Sequence, residues 1–126
     1  MKQITTGERF KTYVDTIKRC GVYLLNSSDE IIEYNIFEEF DIGVVSFLYD
    51  NNLELFETEG IIDIEISNKS RELRKQVMLL QNTDLWNVNS FRHSDEWAKI
   101  MQLSDEIYDM LKSKWNDTEL EYWYKQ

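Results

Sequence analysis

At 126 residues, with 42% hydrophobic, 13% aromatic and 30% charged side chains, the chain has one domain's length and enough apolar material to bury a core. That excludes wholesale disorder and a two-domain enzyme. The net charge of -10, from 24 acids against 14 bases, excludes a direct nucleic-acid binder, because phosphate contacts need a basic face, and it disfavours anionic membrane surfaces. No stretch approaches the roughly 18 apolar residues of a spanning helix, and the N-terminal MKQITTGERF lacks the apolar centre of a signal peptide. One cysteine, Cys20, cannot form an internal disulfide, which fits a reducing compartment and predicts a cytoplasmic protein.

There is no proline, and the four glycines (Gly7, Gly21, Gly43 and Gly60) are spaced as punctuation, so residues 1–126 read as one domain. Phe10, Tyr13, Val14, Ile17 and Cys20 mark a first helix, with Gly21 as its C′ residue and Cys20 as a small buried group. Ser27 and Glu30 have capping-box spacing, and Ile32, Ile36 and Phe40 recur every fourth residue, which predicts a helix over 28–40. Ile32, Tyr34 and Ile36 also alternate with Glu33 and Asn35 as a half-buried strand does. The same conflict returns at 62–66, and Val45, Phe47 and Tyr49 before Asp50-Asn51-Asn52 have the pattern of a hairpin arm. Helix is preferred because proline is absent, Leu53–Gly60 is rich in Leu and Glu and ends at a glycine, and the stripe Ile62, Ile66, Ser70, Leu73, Val77 and Leu80 is continuous.

Ser94 starts the clearest helix, with Asp95 and Glu96 in its first turn. It continues through Trp97, Ile100, Ser104, Ile107, Leu111 and Trp115, widened by Met101 and Tyr108 and closed by Lys112 and Lys114. The expected fold is mainly α, a single-domain bundle of about five helices. The alternative is α+β, with a small antiparallel sheet from residues 22–67 followed by two helices.

Chemistry-bearing motifs are few. His93 is the only histidine and sits beside a helix start, and a Cys20/His93 dyad would need an electropositive pocket and an orienting group. No Glu-x-x-His pair, EF-hand loop, phosphate-cradling glycine loop or nucleophile elbow is present. The expectation is a protein without catalytic residues, metal or cofactor.

Charge is more informative locally. Residues 20–68 hold twelve acids and no lysine or arginine, leaving the remainder of the chain at +2. Tyr34 and Tyr49 lie in this tract, so interface-forming aromatics coincide with negative charge. Asp29, Glu30, Glu33, Tyr34, Glu38, Glu39, Asp41, Tyr49, Asp50, Glu57 and Glu59 are therefore the candidate partner-binding residues, and the expected partner is a basic protein. Trp86, Tyr122, Trp123 and Tyr124 also lie outside the clear stripes and are further interface candidates, although Trp86 and Trp123 read rather as covers of the core by loops and tail.

A small acidic domain with tyrosines among Asp and Glu resembles bacterial immunity proteins, which neutralise a cognate secreted toxin, often a nuclease. The resemblance rests on Asp29 to Asp41 with Tyr34, on Tyr49-Asp50 and Glu54 to Glu65, and on GIIDIEISNKSRELR and SDEWAKIMQLSDEIYDML as helical portions. It implies inhibition by a carboxylate-rich face laid over a basic cleft. Two alternatives share the composition: a phage or mobile-element inhibitor that mimics DNA, and a helical adaptor whose charge serves solvation.

Overall fold

Polar side chains set the helix starts. Thr5 accepts from the Glu8 N–H, Ser28 from Ile31, Asp63 from Ile66, Asn87 from Ser90 and Ser94 from Trp97, while Asn116 and Glu119 form a reciprocal capping box. Each cap contributes about 1 kcal/mol by satisfying an N–H that the helix cannot. A computed structural model describes residues 3–126, and 78% of the described residues are helical, in seven helices and one 3₁₀ turn, with no strand among them. These are α1 (Thr6–Lys18), α2 (29–47), α3 (Asp50–Thr58), α4 (Ile64–Leu80), α5 (Val88–His93), α6 (Asp95–Lys114) and α7 (Asp117–Tyr124), with a 3₁₀ turn at Val22–Asn26 between α1 and α2.

The mainly α expectation holds and the sheet over 22–67 is absent. The count rises from five to seven because α5 and α7, of six and eight residues, are too short to show a full apolar stripe. Ser28, not Ser27, caps α2. Ile62 is buried but precedes α4, which Asp63 starts. Gly21 is not a left-handed C′ residue: its backbone is extended, and glycine suits the site because a Cβ would lie 2.6 Å from an Asp105 carboxylate oxygen. Gly60, at φ +75°, is the left-handed glycine, and it follows α3.

Helix α2 is wound in two ways. Its ends, Asp29–Ile32 and Asp41–Phe47, are α-helical, and between them Glu33–Phe40 is a π-helix in which the Asp41 N–H reaches back five residues to the Ile36 carbonyl. The spacing of apolar residues accounts for this. Each four-residue step in an α-helix overshoots a full turn by about 40°, so three steps from Ile32 to Val44 would rotate the row by about 120°. A wider π turn holds more than four residues and cancels that drift. Ile32, Ile36, Phe40 and Val44 are accordingly all buried.

The core lies where α4 packs against α6 and α6 against α1; α2 and α7 pack against α1, α3 against α1 and α4, and α5 against α6. Two polar groups at these contacts find partners within the molecule, while the Ser67 Oγ of α4 is buried without one. Ser104 of α6 donates to the Ile17 carbonyl of α1 at 2.8 Å, and Ser70 of α4 donates to the Ile66 carbonyl at 2.8 Å. With the Ser70 proton so used, the buried Tyr13 hydroxyl is the donor in its 2.6 Å contact with Ser70 Oγ. Burial pushes the Tyr13 phenol well above its ordinary range, and it does the same to the Cys20 thiol. Gly43 admits the close approach of α1 and α2, since a Cβ there would fall 2.1 Å from Thr16 Oγ1.

Candidate functional site

Because α2 commits one row of side chains to the core, the residues between are forced outward. Glu30, Glu33, Tyr34 and Glu38 fall on one outer side at steps of three and four. With Asp29 and with Val88 at the start of α5, they line an open groove of about 430 Å³. Tyr34 is 50% exposed, and Ile31, one turn before it, is 48% exposed. Four glutamate and aspartate side chains thus surround an aromatic ring, with an exposed aliphatic residue a turn away.

Two arginines from neighbouring segments fix the margins. Arg92 of α5 donates to the Leu25 and Ser27 carbonyls at 3.0 and 2.7 Å and pairs with Asp29 at 2.8 Å, tying the start of α2 to α5. Arg19, just past α1, donates to the Asn35 side-chain oxygen at 3.0 Å, and its guanidinium lies 5.9 Å from the Tyr34 ring centre. Asn35 in turn donates to the Ile31 carbonyl at 2.9 Å. Tyr34 therefore has a cationic neighbour on the α1 side. Beneath the same stretch of α2, Phe37 packs edge-on against Trp86 and Trp97 at 5.2 and 5.6 Å, and the Trp97 indole donates to the Leu85 carbonyl at 2.7 Å.

Five of the eleven sequence-derived candidates, Asp29, Glu30, Glu33, Tyr34 and Glu38, meet in this groove. The other six do not line it. Glu39 is half-buried, and Asp41 accepts from the Gln81 amide at 2.6 Å on the side facing α4. Tyr49 is half-buried at the cap of α3, and Glu59 is exposed at its other end. Asp50 pairs with Arg71 at 3.0 Å, and Glu57 lies 3.7 Å from the same guanidinium without a hydrogen bond, so these two acids are partly neutralised within the molecule.

No protein-family model, curated protein or solved structure matches the chain. No helix among the described residues is long and apolar enough to cross a membrane, and no group of three or more His, Cys, Asp or Glu among them could hold a metal ion. His93 is the exposed last residue of α5, and Cys20 is fully buried with its thiol pushed up, away from the thiolate that nucleophilic attack requires.

Val88, Ile31, Arg19 and Arg92 are the site residues that sequence reading missed. Ile31 carried a signal: next to a core-facing Ile32, an isoleucine must face out. The others depend on contacts between distant segments, such as the 63 residues separating Arg92 from Asp29.

Proposed function

We propose that the chain is a non-catalytic binding protein that captures a cationic protein surface in the α2 groove, in the role of a cytoplasmic immunity protein that neutralises a cognate toxin. The observation that carries this reading is the convergence of Glu30, Glu33 and Glu38, beside the Arg92-paired Asp29, around a half-exposed Tyr34 on a helix whose opposite row is wholly buried. Carboxylates held on so fixed a backbone create a negative potential that steers a basic partner and speeds encounter, though the effect weakens with salt. Tyr34 and Ile31 then supply apolar contact of the kind that slows dissociation. A nuclease cleft presents cations for phosphates, and a face of carboxylates laid over it excludes the substrate without any bond being made or broken.

The test is capture from extract of the source cell at low and high salt, with a Glu33→Lys/Glu38→Lys variant alongside. A basic protein retained at low salt by the native chain and lost by the variant supports the reading. Equal retention by both chains overturns it.

A further inference from the structure

A second groove has the opposite character. Arg71, Arg74, Lys75 and Met78 follow one another along α4 at steps of one, three and four that keep them on one side of the helix. With Leu79 and with Leu48 at the end of α2 they line a cavity of about 360 Å³ bordered by Asp50. It shares no lining residue with the acidic groove. Arg71 is already engaged by Asp50 and Glu57. Arg74 and Lys75 pair with no acid among the described residues, although the chain carries 24 of them. The Arg74 Nε is buried and has no hydrogen-bond acceptor.

The same groove leaves apolar surface uncovered. Leu79 is 60% exposed and Met78 41%, and Val45, one turn before Leu48 on α2, is exposed as well. Unmatched donors and uncovered aliphatic groups lie side by side, and a ligand carrying carboxylates beside apolar side chains meets both demands together. We propose that this groove docks an acidic amphipathic segment of a partner protein, with its carboxylates accepting from Arg74 and Lys75 and its apolar side chains covering Met78 and Leu79. An anionic bilayer is a poorer occupant, because a chain of net charge -10 is repelled by it and the two free cations sit in a concavity rather than on a flat face. A second copy is poorer too: like-charged molecules repel, and a concave acidic groove does not fill a concave basic one.

The probe is a labelled synthetic helix of about fifteen residues with Glu and Leu on one face, titrated into the whole chain by fluorescence anisotropy and backbone amide shift mapping. Saturable binding is expected, with shifts confined to residue 48 and residues 71–79. Affinity should fall at least tenfold for a probe with Gln in place of Glu, and at least tenfold for Arg74→Gln/Lys75→Gln. Leu79→Ser removes only the apolar half at an exposed position and should weaken binding severalfold while the circular dichroism spectrum is unchanged. Three outcomes would each overturn the proposal: undiminished binding by the Arg74→Gln/Lys75→Gln variant, binding of phosphatidylglycerol vesicles but not the peptide, or movement of the same amides when the chain alone is concentrated.

Discussion

Helices α2 and α6 are of similar length and both bury one face, yet they reach it by different geometry. In α6 the buried residues Trp97, Ile100, Ser104, Ile107 and Leu111 alternate steps of three and four, with Met101 beside Ile100, which matches 3.6 residues per turn, and the helix is regular throughout. In α2 the buried row advances only by fours, and the backbone widens to keep it aligned. The difference teaches that apolar spacing, beyond marking a helix, can dictate how tightly it is wound. Half of the acidic groove's lining lies on the widened stretch, so the same spacing that shapes the backbone places Glu33, Tyr34 and Glu38.

Removing one residue from each helix tests this most severely. Deleting Glu106 from α6 turns Ile107 and Leu111 about 100° away from the core; at 2–5 kcal/mol for each such side chain, the loss approaches the whole of a typical domain's stability. A cooperative urea transition should vanish. Deleting Glu39 from α2 instead converts the steps between its buried residues from four-four-four to four-three-four, the pattern that ordinary α winding satisfies. That variant should fold with a loss of about 1–3 kcal/mol, the usual range for local repacking, while the groove is re-spaced. Equal damage from the two deletions would end the comparison.

The next effect concerns the contact that brings α2 against α1. Gly43→Ala should cost about 1–3 kcal/mol in urea denaturation, because its methyl meets Thr16 Oγ1 and Cγ2. Adding Thr16→Ala removes both atoms and should recover part of the loss. A fully additive double variant would contradict the packing described.

Smaller still is the Tyr13 hydrogen bond. Tyr13→Phe should cost about 1 kcal/mol at neutral pH. Because burial raises the phenol above its ordinary value of 10.0, and the Cys20 thiol above 9.0, both groups favour the folded state below those values. That stability is lost as pH climbs past about 9 and then 10, when the unfolded chain ionises first. Tyr13→Phe should therefore show a shallower loss above pH 10 than the native chain, followed by circular dichroism. The smallest change in stability belongs to Glu33→Lys/Glu38→Lys, within about 0.5 kcal/mol, since both are surface positions. Capture of a basic partner should nevertheless collapse at low salt.

Most of the fold could be read from residue order. Stripes such as 94–115 and 62–80 are long enough for their period to be unmistakable, and Ser94 announces its helix. What escaped reading was either short, as in α5 and α7, or set by partners far along the chain. Nothing near Asp50 reveals Arg71, and nothing near Asp41 reveals Gln81, yet those contacts draw Asp41, Asp50 and Glu57 away from the five candidates that line the groove. The π winding was written in the strict fourfold recurrence of Ile32, Ile36, Phe40 and Val44, a pattern equally compatible at first sight with an ordinary helix.

The edge-on packing of Phe37 from α2 against Trp86 and Trp97 carries a practical consequence. Indole emission responds to small changes in nearby charge and packing, and Trp86 precedes Val88, which lines the groove wall, by only two positions. The molecule thus contains its own optical gauge: occupancy of that wall should register as a change in tryptophan fluorescence, with no dye attached. Trp115 and Trp123 meet edge-to-face in a separate cluster at the far end of α6, so Trp115→Phe/Trp123→Phe would clear the background without touching the reporter.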